Sequence, residues 1–296
     1  MVDAMEPLAR LQRALPELTP ELRRAAQWVE QHPVEVGLWS MRRQAQALSL
    51  APATMLRLAR AAGYDSYDSF RAPFQQALHN GAGSMASRAR GLQGGRENPR
   101  QTLALRHQQE SALESVLRLN PVPALDAAAQ CLLESRKVGF LGMGSSFGCA
   151  FQMHYAYQLM RGSGVLLNRS ADVILELEGA LGRQSALVVI SQAPYVRAAV
   201  QSMRQALERG VTVVALTDSA LSPIAQGARH VLLFEAVPGE RQPASFFHSM
   251  VGPVALAEHL LARITAMGGD AVVQRLTRME SMLQAQQIYW REAGSA

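Results

Sequence analysis

Two hydrophobic periods divide the chain. From Pro20 onward Leu22, Ala25, Ala26 and Val29 fall on one face, with Trp28 beside it, the stripe of an amphipathic helix. Thr19 before Pro20 supplies an N-cap and an N1 proline, and His32-Pro33 ends the helix. A further helix is predicted over 33–38. Ser40 caps another that runs to about Leu48, Ser49-Leu50-Ala51 makes a turn, and Pro52 opens the next helix. Met55, Leu58, Ala59 and Ala62 share its inner face, Gly63 ends it, and Tyr64, Tyr67 and Phe70 anchor the following segment. Beyond Gln101 two helices separated by Pro121 give way to short apolar runs alternating with helices. The runs KVGFLG, GVLLN, ALVVI, VTVVAL and HVLLF have strand length and little polar alternation, so they belong to a parallel sheet covered on both faces. A short helix is expected after VTVVAL, and two long helices, near Ser245–Ala266 and Asp270–Arg291, end the pattern.

Between the two patterns lies HNGAGSMASRARGLQGGRENPR, rich in Gly, Ser and Arg. It is the best linker candidate, either a solvated hinge or an arm along phosphates. The expected organisation is therefore an all-α domain over 1–80, a linker over 81–100 and an α/β domain over 101–296. Composition suits this: 48% apolar and 18% charged residues in 296 supply core for two domains. No apolar run nears the ~18 residues of a membrane span, and charges occupy the place of a signal peptide's apolar centre, so a cytoplasmic location is expected. Cys131 and Cys149 are far apart and predict neither disulfide nor metal site. The net charge of +5 permits a polyanionic partner.

Position sharpens that last point. Arg42, Arg43, Arg57 and Arg60 lie between Ser40 and Ala62 with no acidic residue among them. Two helices joined by a tight turn, the second beginning with small and polar residues, form the pattern of a helix-turn-helix reader of double-stranded DNA. Ala53, Thr54, Arg57 and Ala61 are expected on its outward face. Arg57 suits a bidentate pair with guanine, Thr54 a base or phosphate, and Arg42, Arg43 and Arg60 phosphates. Spacing alone also permits an ordinary helical bundle with a solvated arginine face.

In the second half, KVGFLGMGSSFGCA sets Gly142, Gly144, Ser145 and Ser146 between a strand and a helix. Glycine admits an anion to the backbone, and the helix terminus adds N–H groups and the positive end of its dipole. The motif lacks the Gly-Lys-Ser/Thr of a phosphate-binding P-loop. His154 follows in the next helix, where packing or surface is its expected role. His248 and Glu258 are expected on one helix, about 15 Å apart, too far for one proton shuttle. His107 and His259 have no metal-like spacing, Trp28 and Trp39 suit the core, and Trp290 suits packing or a dimer contact. No catalytic residue, metal ligand or cofactor is assigned.

LTPELRRAAQWVEQHP, SMRRQAQAL and APATMLRLARAAGYDSYDSFR, over residues 18–78, resemble the N-terminal domain of the RpiR family of bacterial transcriptional regulators. Thr54, Arg57, Gly63, Tyr64, Phe70 and Arg71 occupy the family's places, whereas Ser49 stands for the usual turn glycine and Ala51 for a frequent serine. GFLGMGSS, LVVISQ, ALERGVTVVALTDSALSPIA and ARHVLLF resemble the SIS (sugar isomerase) domain that follows in such regulators. The resemblance implies a five-stranded parallel sheet flanked by helices, a phosphosugar at the C-terminal strand ends, and no enzymatic activity. The resemblance implies Ser145 and Ser146 as direct effector ligands; Gly144, Ser191, Thr217, Ser219 and Ser222 are further candidate contacts, and Gln192 and Tyr195 suit a less charged, partly apolar ligand. One segment departs. Where the family has serine, two residues, glycine, one residue and threonine, this chain has Ser191-Gln192-Ala193-Pro194-Tyr195-Val196. That removes at least two donors, so the effector is either a phosphosugar held differently or another polar or anionic metabolite. A homodimer or homotetramer is expected, because paired recognition helices read half-sites about one DNA turn apart. The alternative reading is a SIS-type sugar-phosphate isomerase with an accessory N-terminal domain.

Overall fold

A computed structural model describes residues 5–79, 85–94, 99–167, 177, 180–236 and 245–290. Two compact units emerge, the first made of 1–119, 217–226 and 233–252, the second of 120–216, 227–232 and 253–296.

The first unit is helical: α1 (Met5–Ala14), α2 (Pro20–Gln31), α3 (Pro33–Leu38), α4 (Met41–Ala47), α5 (Pro52–Ala61), α6 (Tyr67–His79), α7 (Met85–Gly94) and α8 (Pro99–Leu119). The expected caps form, with Thr19 accepting from Leu22 N at 3.4 Å and Ser40 from Arg43 N at 3.3 Å. The apolar stripes converge as expected, and Ala25, Val29, Met55, Leu58, Ala59 and Phe70 are fully buried in one cluster. The stretch expected as a linker carries α7 among its described residues. Its Met, Ala, Arg and Leu favour helix enough to outweigh Gly91.

In the second unit α9 (Val122–Glu134) leads into β1 (Lys137–Gly142), α10 (Ser146–Met160), β2 (Gly164–Leu166), β3 (Ser185–Ser191), α11 (Arg197–Glu208), β4 (Thr212–Thr217) and β5 (His230–Leu233). The five strands stand in the order β2-β1-β3-β4-β5, and β1 pairs in parallel with both neighbours. All of β3 is buried, as its unbroken apolar run requires. Turns replace the short helix expected after β4. The final helices, α12 (Val251–Met267) and α13 (Gly269–Ala285), are shorter than expected. Pro253 fits only the first turn of α12, and α13 closes where Gln287 turns left-handed at φ 48°.

Candidate DNA interface and effector site

The turn between α4 and α5 is built from backbone hydrogen bonds. Ser49 N donates to Gln46 O at 3.0 Å and Leu50 N to Ala45 O at 2.9 Å, with Ser49 left-handed at φ 53°. Helix α5 ends the same way: Gly63 N donates to Arg60 O at 2.9 Å and Tyr64 N to Ala59 O at 3.0 Å, with Gly63 at φ 79°. Both are Schellman closures, one on glycine and one on serine. Ala51, at the N-cap of α5, makes no side-chain cap.

Arg42, Arg43, Ala53, Arg57, Arg60 and Ala61 are exposed. Thr54 departs from expectation: it is only 2% exposed, and its hydroxyl accepts from Arg57 Nη2 at 3.1 Å. The inner stripe of α5 is one position wider than its large apolar residues suggest, so Thr54 steadies Arg57 from beneath. Arg57 also lies 3.6 Å from Glu21 on α2, an exposed pair worth about 0–1 kcal/mol. Arg43 stacks 4.3 Å over the Trp39 ring.

Sequence reasoning missed Gln44. It is fully buried on α4, donates to Val36 O at 3.2 Å and Trp39 O at 2.9 Å, and accepts from the Tyr67 hydroxyl. Burial drives the Tyr67 hydroxyl well above its usual range, so it remains a donor. Arg71 donates to Val36 O at 3.1 Å and Gly37 O at 2.9 Å near the end of α3. These bonds fix α4 against α3 and α6. A glutamine between Arg43 and Ala45, with exposed Gln46 two positions on, gives no sequence signal of burial.

In the second unit β1 delivers Gly142 to the start of α10. A Cβ on Gly142 would lie 2.3 Å from Ser146 O, so glycine is required by close approach. Gly144 turns left-handed at φ 59°, Ser145 is half-buried and Ser146 is 5% exposed at the first position of α10. Two of the terminal amides are already engaged: Ser146 N donates to Met143 O and Phe147 N to Gly144 O, each at 3.2 Å. Ser191 and Gln192 are buried at the end of adjacent β3, with Tyr195 half-buried beyond.

The loop that follows β4 belongs to the first unit. Thr217 and Ser222 are fully buried and Ser219 is 3% exposed. Thr217 Oγ1 donates to Asp218 Oδ1 at 3.3 Å, and Ser222 Oγ accepts from Ala225 N at 3.2 Å. Ser219 Oγ accepts from Gln12 Nε2 at 2.8 Å and from Leu221 N at 3.0 Å. Beside it Glu30 is pushed up to about 7, first by burial and then by the Asp218 charge, against hydrogen bonds from Ser219 and Gln12.

At the other, N-terminal end of the strands a cavity of about 730 Å3 is lined by Arg136, Arg183, Thr212, Arg229 and His230 among others. Burial, with Arg229, lowers His230. His154 lies edge-on to Phe140 at 6.0 Å. His248 precedes α12 rather than riding on it, and Glu258 accepts from Gln152 Nε2 at 3.3 Å. Buried Cys149 is pushed up to about 12 by burial and Glu258, and Cys131 is half-buried. Trp28 stacks on His32 at 4.8 Å, whereas Trp290 is 84% exposed. No group of His, Cys, Asp and Glu among the described residues could hold a metal ion, and no helix among them is long and apolar enough to cross a membrane.

An arginine-faced helix-turn-helix followed by a parallel α/β sheet with a glycine loop is the build of a SIS-domain transcriptional regulator. Residues 131–263 match the SIS domain family. The chain is 25% identical over 223 residues to the HTH-type transcriptional regulator HexR of Pseudomonas aeruginosa, covering 75% of this chain and 76% of that one. An uncharacterized HTH-type regulator of Caldanaerobacter subterraneus is 22% identical over 287 residues, 95% of this chain and 98% of its own. Among solved structures, the sugar isomerase domain of an RpiR transcription factor from Sphaerobacter thermophilus is 25% identical with a TM-score of 0.54, covering 61% of this chain and 98% of that one. Vibrio vulnificus NanR, solved with ManNAc-6P, shares the fold over 95% of this chain and 98% of its own, at 17% identity and a TM-score of 0.57.

Proposed function

We propose that the protein regulates transcription by binding a double-stranded DNA operator, and that a small polar or anionic metabolite of the sugar-phosphate class controls this binding. The observation that carries the reading is the exposed face of α5 and α4. Arg57 projects from the recognition helix on a buried Thr54, with Ala53 small enough to admit a base edge beside it. Arg42, Arg43 and Arg60 surround it as phosphate contacts. The SIS match and the ManNAc-6P bound by NanR support the effector class. Gly144, Ser145, Ser146, Ser191, Gln192 and Tyr195 are the proposed effector contacts in the second unit, and Thr217, Ser219 and Ser222 those in the first. Pro194 and Val196 leave the Ser191 loop short of donors, so a phosphate there is held more loosely than a cradle of N–H groups would hold it.

The protein acts without catalysis in this reading, since Glu258 is engaged by Gln152 and His248 lies outside α12. A homodimer or homotetramer in the cytoplasm completes the proposal. Exposed Phe151 and Tyr155, one turn apart on α10, offer an apolar contact between copies.

Salt-titrated anisotropy on a selected duplex and a random one tests the DNA reading. Arg57→Ala is expected to cost about 1–3 kcal/mol on the selected duplex and little on the random one. Arg60→Ala is expected to weaken both alike and to lower the salt slope by about 1. Equal losses for Arg57→Ala on both duplexes would remove Arg57 as a base reader.

A further inference from the structure

The loop 217–226 is fastened to the helices that carry the DNA-reading face. Gln12, near the end of α1, donates through Nε2 to Ser219 Oγ at 2.8 Å and to Glu30 Oε1 at 3.3 Å. Glu30 stands near the end of α2, the helix that packs on recognition helix α5 and pairs Glu21 with Arg57. Two residues past Ser219, Leu221 is fully buried in the apolar cluster of Leu11, Ala26, Val29 and Leu58. One polar knot and one apolar plug thus join the loop to α1, α2 and α5.

The valence of Ser219 gives the knot a consequence. A hydroxyl has one proton to donate and two lone pairs to accept with. Gln12 Nε2 and Leu221 N fill both lone pairs, and Gln12 also donates to Glu30. An effector donor can reach Ser219 Oγ only by displacing Gln12 or Leu221 N. Displacing Gln12 loosens α1 from the loop, and with it the Gln12 bridge to Glu30 on α2.

We propose that Gln12 and Glu30 are the residues through which effector occupancy of Ser219 is reported to the recognition helix, the knot of Gln12, Glu30 and Ser219 being a latch that effector and helices compete for. This rests on the reading of Ser219 as an effector contact. The effector's leverage is its differential affinity for the latched and unlatched states.

The test uses the full chain with Gln12→Met, which keeps the stem and removes the donor, and Ser219→Ala. Duplex affinity is measured by anisotropy without ligand, then with ManNAc 6-phosphate, glucose 6-phosphate and inorganic phosphate, alongside melting temperature. Breaking the latch is expected to change ligand-free duplex affinity about fivefold or more, and to abolish any response of the wild type to these probes. Variants that melt lower yet bind the duplex within about twofold of the wild type would make the knot merely structural and overturn the proposal. Retention of the full probe response by Gln12→Met would overturn it as well, leaving the regulator reading intact. A wild type without sequence-selective DNA binding would sink both.

Discussion

Ser49 holds the tightest bend of the DNA-reading motif in a conformation that suits glycine. A left-handed L-residue costs about 1–2 kcal/mol, and glycine returns about 0.5–1 kcal/mol of that as extra chain entropy. Ser49→Gly is therefore expected to stabilise the protein by up to about 1 kcal/mol in urea unfolding, and a loss of stability would contradict the turn geometry. Ser146 makes the second residue-scale prediction. Its position at the head of α10, only 5% exposed, suits a hydroxyl that meets a ligand rather than bulk water. Ser146→Ala is expected to weaken effector binding in calorimetry by about 1–3 kcal/mol, and unchanged binding across a panel of phosphosugars would make the glycine loop structural only. Sequence was a good guide to residues whose roles depend on neighbours along the chain, such as Thr19, Ser40, Pro52 and Gly63. It was a poor guide where a distant segment decides. Thr54 is turned inward by packing, and Gln44 is buried because Val36, Trp39 and Tyr67 satisfy its amide.

At the scale of elements, the hydrophobic periods located the helices and strands, while their ends followed local chemistry that the periods do not carry. Helix α12 starts late because of Pro253, and α7 forms within a stretch whose glycines and serines predict a hinge. The attachment of the loop after β4 to α1 and α2 left no trace in sequence, since Gln12 and Ser219 are 207 positions apart. That attachment has a pH signature. Burial, then the Asp218 charge, raises Glu30 from 4.5 to about 7, so the folded chain keeps a proton that the unfolded chain releases in this interval. Folding then binds protons, and stability falls as pH rises from about 4.5 through about 7. Relative to Glu30→Gln, which cannot titrate, the wild type is expected to lose on the order of 1–3 kcal/mol between pH 5 and pH 8. Parallel pH profiles of melting temperature for the two proteins would contradict the buried carboxyl.

For the whole molecule, the order of domains was legible because a helical period gives way to apolar strand runs near residue 136. The compact units divide differently, since 217–226 and 233–252 fold with the helical residues. Hydrophobic pattern ranks residues by burial but does not say which core a loop will join. The sequence names no effector, because Pro194 and Val196 remove the donors that would mark a phosphate cradle. A regulator of this build must read DNA sequence. The most direct test is equilibrium binding of the full-length wild type to a duplex selected from a randomised pool, against random duplex, across a salt series. A selected-site preference of about a thousandfold or more is expected near physiological salt, with affinity on both duplexes falling as salt rises. Equal affinity for selected and random duplexes at every salt concentration would contradict it.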